Sequence, residues 1–469
     1  MLEALWLAED AADATGGKLH GADSWIATGV SIDTRTLEPG DLFVALYDQR
    51  DGHEFVADAF AKGACAAVVS DLSRLQDQNH QAWGNLLVVE DVLLALGMLG
   101  SAARDRSVAR RIAVTGSVGK TSTKEVLATC LRAQAPTHAS TKSYNNHWGV
   151  PLTMARMAQS ARYGVFEIGM NHRGEISPLA HFVNPHVALI TTIAPAHIEA
   201  LGSLENIAEE KADVYAGLTT DGVAIVPNEA PAAIVLLNRA QERARTVVRF
   251  GRDADCEARL LKFDMHDDYA VAEADILGRQ IRYRIGASGA HWALNSVAAL
   301  AATDVAGADL HAAAHALADF AAPAGRGQVV TINGPNGAFT LLDDAYNANP
   351  ASMEAAFRTL GARKPGVGGR RIAALGDMLE LGPDELRYHA GLASTLSESA
   401  DLVFCAGARM RALWEALPAP LRGVYAENAD ALAPALKEAL RAGDVVLIKG
   451  SNGSRMFRVV ESLKMLATA

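Results

Sequence analysis

The stretch Thr115-Gly-Ser-Val-Gly-Lys-Thr-Ser122 sets a lysine and a threonine directly after a glycine turn. Backbone N–H groups of such a loop, together with the positive end of a following helix, face an anion. A lysine at this point supplies a charge to β- and γ-phosphates, and a threonine hydroxyl can sit on Mg²⁺. Gly116, Ser117, Gly119, Lys120, Thr121 and Ser122 are therefore the candidate phosphate-binding residues. The pattern is shorter than the common G-x-x-x-x-G-K-[ST], which would need glycine where Val114 stands. An ordinary strand-to-helix turn also uses glycine, but Lys-Thr straight after the second glycine is what phosphate and metal chemistry requires. Alone, the motif means ATP or GTP binding and specifies no reaction.

Further polar residues follow in an order that gives them weight. Glu167 closes the run Gly164-Val-Phe-Glu-Ile-Gly-Met-Asn171, and a carboxylate at a parallel strand end can hold Mg²⁺ beside phosphates. His197 lies in Ala194-Pro-Ala-His, where a lone histidine is more often hydrogen-bonded than ligating. Lys211 sits in a helical run, Ala208–Asp213, whose bland reading is a solvated ion-pair face. Thr141-Lys-Ser-Tyr-Asn-Asn-His-Trp-Gly-Val-Pro151 offers Asn145 and Asn146 for a polar ligand, or merely for turn chemistry. Asn295 stands in the first turns of an alanine-rich helix. Arg326, between glycines in the linker Pro323–Gln328, can swing or clamp a phosphate. Ser31-Ile-Asp-Thr-Arg35 places hydroxyls, a carboxylate and a guanidinium at a strand end; taken alone it is a surface ion pair.

The elements that must carry these residues read as α/β. At 469 residues the chain suggests about three domains. Residues 1–88 alternate short strands and helices, with a helix over Leu2–Ala12 and strands at Trp25–Asp33, Asp41–Leu46 and Ala66–Ser70. Val92–Arg106 reads as a connecting helix. Apolar runs at Ile112–Thr115, Tyr163–Ile168, Val187–Ile193, Val223–Pro227 and Val247–Phe250 fit parallel strands covered on both faces. Such a doubly wound sheet binds ligands at its strand C-termini, where the motifs fall. Arg252–Gly289 reads as an antiparallel excursion. Strands at Phe339–Asp343, Arg371–Leu375, Leu402–Cys405 and Val445–Lys449 make a third, Rossmann-like unit without G-x-G-x-x-G. Its strand ends carry Asp344, Tyr346, Asn347, Asp377 and Lys449.

Bulk properties narrow the class. The net charge of -11 argues against a broad nucleic-acid surface. Four separated cysteines give neither a disulfide framework nor zinc spacing. The acidic start Met1-Leu-Glu-Ala-Leu-Trp lacks the basic beginning of a signal peptide, and no apolar run is long enough to span a bilayer. A cytoplasmic protein is expected, with no nucleic-acid or membrane partner.

With these stretches assembled, the chain resembles the Mur ligases over nearly its full length. The motifs are T-G-S-x-G-K-T-S at Thr115–Ser122, E-I-G-M-N at Glu167, A-P-A-H at His197, the lysine at Lys211, H-x-x-x-N at His291 and Asn295, G-R at Arg326, and D-A-Y-N-A-N-P at Asp344–Pro350. N-N-H-W-G-V-P, G-D-M-L-E-L-G and K-G-S are similar to the branch that adds D-alanyl-D-alanine to UDP-N-acetylmuramoyl-tripeptide. The resemblance implies a UDP-substrate domain (1–88), an ATP domain (89–322) and a C-terminal domain (323–469) that closes over the site and binds the amino component. It implies that Ser31, Asp33 and Arg35 serve the uridine end and that Asn145 and Asn146 touch the muramoyl peptide. Lys120, Thr121 and Glu167 would hold phosphates and a first Mg²⁺, while His197 and a carbamylated Lys211 would support a second. Asn295 would meet adenine, Arg326 the γ-phosphate, and Asp344, Tyr346 and Asn347 would complete the nucleotide site of a monomeric enzyme. Ser451-Asn-Gly-Ser-Arg455 departs from the pattern, since relatives often place a basic residue sooner.

The rivals are a Mur ligase adding one amino acid, a folate polyglutamylating enzyme and a nucleotide-gated switch. The first carries D-N-P-R, whereas Ala351-Ser352 follow Asn349-Pro350 here. The C-terminal motifs shared with the dipeptide-adding branch argue against the second. The third has no use for Glu167, His197, Lys211 and Arg326 together.

Overall fold

The structure, a computed structural model, describes residues 4–75 and 84–467. Among them the strands form three sheets of five, nine and six strands and a two-stranded ribbon. The nine-stranded sheet positions most of the candidate residues. Its core strand Arg110–Thr115 lies between Tyr163–Glu167 and Val187–Ile190, all parallel. Connections leave the core strand in opposite directions, so a crevice opens at its C-terminal end.

The reason for this arrangement is visible in the side chains. Ile112 and Val114 pack into one apolar cluster with Val165 and Leu189, while Ala113 packs into another with Phe166 and Ile190. Alternate residues thus bury on opposite faces, which demands helices on both sides. Lys120–Arg132 covers one face, burying Val126, Leu127 and Leu131. Ile176–Val183 covers the other through Ile176, Leu179 and Val183. Beyond Thr246–Gly251, the strands Ala258–Met265, Ala270–Ile276 and Arg279–Ile285 extend the sheet as antiparallel hairpins, and their burial alternates as in a one-sided sheet.

The C-terminal sheet repeats the logic. Gly337–Asp344, Val445–Lys449 and Arg371–Gly376 are parallel neighbours in that order. The last strand enters between the first two, bringing Asp344, Lys449 and Gly376 to one edge. The N-terminal sheet orders Lys18–His20, Asn85–Val88, Ala66–Val69, Asp41–Val44 and Gly29–Ser31. No helix among the described residues is long and apolar enough to cross a membrane.

Two N-terminal expectations need correction. The helix begins at Ala8 and runs to Thr15; before it, Trp6–Leu7 pairs as a strand with Ile26–Ala27. Trp6 is buried, donates Nε1–H to Ala155 O at 2.9 Å and lies under the Arg106 guanidinium. These tertiary contacts outweigh local helix preference. Residues 25–33 divide between that ribbon and Gly29–Ser31 in the larger sheet. The strands Thr137–Ala139, Gln328–Gly334 and Arg422–Ala426 were not foreseen. They are outer strands, partly exposed, and so lack the continuous apolar run that marks an inner strand.

Candidate active site

The phosphate loop is shaped by glycines that no other residue replaces without cost. Gly116 has φ 143°, and a Cβ there would lie 1.9 Å from Thr191 Oγ1. Thr191 donates that hydroxyl to Val118 O at 2.5 Å, and Ser117 N–H donates to Thr192 O at 2.8 Å. The loop is therefore pinned to the neighbouring strand end. Gly119, with φ 86°, precedes the helix Lys120–Arg132, and no side chain caps that N-terminus. The first residues of that helix, Lys120, Thr121 and Ser122, line the crevice, where an anion site would use their N–H groups. Ser117 Oγ is buried without a partner among the described residues.

Glu167 is almost fully buried and accepts three hydrogen bonds. Thr121 Oγ1 donates to Oε2 at 2.7 Å; Ser143 Oγ and Asn145 Nδ2 donate to Oε1 at 2.7 and 2.8 Å. Burial raises its carboxyl, but the Lys120 charge, the Ser143 and Thr121 hydroxyls and Arg326 outweigh it and hold it below the usual range. Lys120 donates to Gly116 O at 2.8 Å; burial lowers its ammonium, Glu167 opposes this and Arg326 adds to it. Lys211, on the helix Leu204–Ala212, is only 1% exposed, which rules out the bland reading of a solvated face. Burial and the charge of Lys120 push its ammonium well below the usual value. Its neighbour Glu210 already accepts the Gly174 and Ile176 N–H groups. The charge of Lys120 thus adds to burial in favouring the neutral Lys211 amine.

The C-terminal sheet supplies the opposite wall. Lys449 is buried and donates to Asp344 Oδ2 at 2.7 Å and to Asn347 O at 2.9 Å. Burial raises the Asp344 carboxyl against the pull of Lys449. Asn349 closes a capping box on Pro350–Gly361, fixing the loop that carries Tyr346 and Asn347. Arg326 stacks over the Tyr346 ring at 3.9 Å. His291 Nδ1 is buried without a partner among the described residues, and burial, then Lys449, lowers the ring to about 4. His197 Nδ1 lies 2.6 Å from Glu380 Oε2, across from the central to the C-terminal sheet.

These groups share one cavity of about 680 Å³. Ser117, Gly119, Lys120, Thr121, Ser122, Asn145, Asn146, Glu167, His197, Asn295, Arg326, Asp344, Tyr346 and Asn347 all line it. Asn295 Nδ2 stands 3.2 Å from where a Gly119 Cβ would be. Lys211, which is buried, is not among the lining residues. Ser31, Asp33 and Arg35 are elsewhere, at the end of Gly29–Ser31; Arg35 pairs with Asp33 at 2.7 Å and is exposed. Asp33 feels the charge of Lys142 and Arg35 that of Tyr144, both in the polar loop that carries Ser143 and Asn145. Asn146 accepts the Gly149 N–H at 2.8 Å, which is turn chemistry. Sequence reasoning missed Ser143, two residues before Asn145 in the same polar loop, and Glu380, embedded in G-D-M-L-E-L-G without any distinguishing spacing.

Comparison with known proteins agrees with this assembly. Residues 114–303 match the Mur ligase middle domain, and residues 325–452 match the Mur ligase, glutamate ligase domain. The UDP-N-acetylmuramoyl-tripeptide–D-alanyl-D-alanine ligase of Rickettsia prowazekii is 32% identical over 92% of this chain and 94% of its own. The chain belongs to the Mur ligase family. The Escherichia coli ligase of the same name is 34% identical over 96% of this chain and 97% of its own. Among solved structures, MurF from Acinetobacter baumannii superposes with a TM-score of 0.84 over 99% of both chains at 29% identity. This Mur ligase therefore has the three-sheet α/β architecture expected from its motifs.

Proposed function

We propose that this chain is an ATP-dependent, ADP-forming ligase that joins D-alanyl-D-alanine to UDP-N-acetylmuramoyl-tripeptide in peptidoglycan synthesis. The observation that carries the reading is its end-to-end likeness to ligases of that name, in two comparisons that each cover more than nine-tenths of the chain. The cavity has the parts the chemistry needs. Residues 1–88 take the UDP substrate, with Ser31, Asp33 and Arg35 at the uridine end. Residues 89–322 take ATP, and residues 323–469 close the site and take the dipeptide. In this reading the ligase works as a monomer. ATP and a nucleotide-linked substrate suit a cytoplasmic location.

The substrate carboxylate is a poor electrophile until its oxygen attacks the γ-phosphorus of ATP, giving an acyl phosphate and ADP. The dipeptide amine then attacks the acyl carbon, and the collapse of the tetrahedral intermediate expels phosphate. Carboxylate, triphosphate and transition state are all anionic, so cationic groups at fixed positions lower the barrier. Lys120 and the loop N–H groups hold the β- and γ-phosphates. Arg326, once off the Tyr346 ring, reaches the γ-phosphate. Asn295 meets adenine, while Asp344, Tyr346 and Asn347 close the nucleotide site. Asn145 and Asn146 face the muramoyl peptide. Closure keeps water from the acyl phosphate.

The Thr121 hydroxyl and Glu167 carboxylate, 2.7 Å apart, are oxygen donors of the kind Mg²⁺ selects. An imidazole and an amine are not, so His197 and Lys211 suit a second Mg²⁺ only if Lys211 becomes a carbamate. Its burial favours the neutral amine, the form that adds CO₂. When bound, Mg²⁺ neutralises phosphate charge. The test is isotopic: tripeptide substrate labelled with ¹⁸O in its terminal carboxylate should transfer one label to released phosphate. Unlabelled phosphate with product formation would exclude the acyl phosphate.

A further inference from the structure

The contact between His197 and Glu380 joins loops from different sheets. His197 follows the strand Val187–Ile190 of the central sheet, and Glu380 follows Arg371–Gly376 of the C-terminal sheet. Their side chains meet at 2.6 Å, Nδ1 to Oε2. Both residues hold the left-handed backbone conformation, φ 58° for His197 and φ 63° for Glu380. That conformation is unfavourable for residues with a Cβ and persists where surroundings enforce it. Two such residues facing each other across an inter-sheet cleft is a costly arrangement for a casual surface pair.

The loop behind Glu380 is braced. His389 Nε2 accepts the Met378 N–H at 3.0 Å, and Ser451 Oγ accepts the Leu379 N–H at 3.0 Å. Asp377 Oδ1 accepts the Met410 N–H at 2.8 Å, and Asp377 O accepts the Ser451 N–H at 3.0 Å. Just beyond, the turn Gly382–Asp384 packs on the short helix Ile198–Leu201 that begins after His197. Glu380 therefore moves with the C-terminal sheet as a rigid arm, and its grip on His197 exists only when the two sheets are docked.

We infer that Glu380 is a positioning residue: it takes Nδ1 of His197 across the cleft, so that Nε2 is the ring nitrogen turned to the cavity, and it makes this orientation conditional on domain closure. The inference rests on the ligase reading for the role of His197. A carboxylate on the far nitrogen of a ligating histidine fixes its tautomer and ring plane, and losing it typically weakens metal binding or activity by about 10- to 100-fold. Closure by the C-terminal domain would thereby complete the cation site at the moment the amino component is enclosed.

The test compares wild type with Glu380→Ala, Glu380→Gln, His197→Ala and the His197→Ala/Glu380→Ala pair, each checked for folding by near-ultraviolet circular dichroism. Mn²⁺ binding is read by electron paramagnetic resonance with a non-hydrolysable ATP analogue present, and compaction by small-angle X-ray scattering. Glu380→Ala should weaken Mn²⁺ binding about 10- to 100-fold and reduce analogue-induced compaction. Glu380→Gln still accepts the Nδ1–H and should retain most of both. The double variant should be no worse than His197→Ala. Wild-type Mn²⁺ affinity and compaction in Glu380→Ala would overturn the inference, as would losses that multiply in the double variant. Neither readout needs turnover, so failure of the ligase reading would show separately, as absence of product from a wild-type chain with normal Mn²⁺ binding.

Discussion

Replacing Glu167 by glutamine tests the site at its most densely bonded atom pair. The carboxylate accepts from Thr121, Ser143 and Asn145, and hydrogen bonds to a charged group are worth about 1.5–3 kcal/mol against about 1 for neutral ones. Conversion to an amide therefore forfeits roughly 2–5 kcal/mol in gross terms. Against this, a nearly fully buried charge no longer has to be desolvated, an offset of several kcal/mol. The amide oxygen can keep the Ser143 and Asn145 donors. The amide NH₂ then faces Thr121, whose hydroxyl can turn to accept. The folded state should lose no more than about 2 kcal/mol. The site should lose far more. Glu167 opposes the effect of burial on the Lys120 ammonium, and its carboxylate accepts directly from Thr121. Urea denaturation should place the variant near wild type, while the Mg²⁺ concentration for half-maximal turnover rises at least about tenfold, matching a loss of 1.4 kcal/mol or more. A variant with wild-type Mg²⁺ dependence would refute the reasoning, because it would show that the carboxylate serves the fold alone.

Other outcomes follow from the same geometry. Gly116→Ala forces a Cβ to 1.9 Å from Thr191 Oγ1 and should reduce ATP affinity at least about tenfold in calorimetric titration, whereas Gly391→Ala, with open space around it, should leave it unchanged. Lys449→Met strands the Asp344 carboxylate and should cost about 3–5 kcal/mol at pH 8. Because the Asp344 carboxyl is already raised, protonation should shrink that cost at pH 5, and an equal cost at both would contradict the pairing. His138 Nε2–H donates to Thr153 O at 2.6 Å, and burial lowers its ring to about 4. The unfolded chain then binds a proton that the folded chain refuses, so stability falls as pH drops from about 6.5 to about 4, by roughly 3 kcal/mol from this group. His138→Gln should flatten that part of the profile in urea denaturation.

The inner strands were legible because burial on two faces leaves uninterrupted apolar runs. Val223–Pro227 and Val445–Lys449 run just as their residues suggest. Outer strands such as Thr137–Ala139 carry no such run. The phosphate loop and Glu167 were legible because glycine, lysine and strand-end carboxylates have few other uses in that order. For Lys211 the residues alone left a solvated face open beside a role in the site, because helix periodicity around Glu209 and Glu210 looks the same whether the lysine faces water or a neighbouring sheet; its burial decides between them. Glu380 was invisible because its partner is 183 positions away, and nothing local marks a residue whose function is to meet another domain.

The most direct test of the account is phosphate release by the purified chain with ATP and Mg²⁺, supplied in turn with UDP-N-acetylmuramoyl-tripeptide, D-alanyl-D-alanine, or both. The account predicts sustained release only when both are present, matched by pentapeptide product. Equal sustained release without the dipeptide, or equal turnover with a single free amino acid in its place, would contradict it.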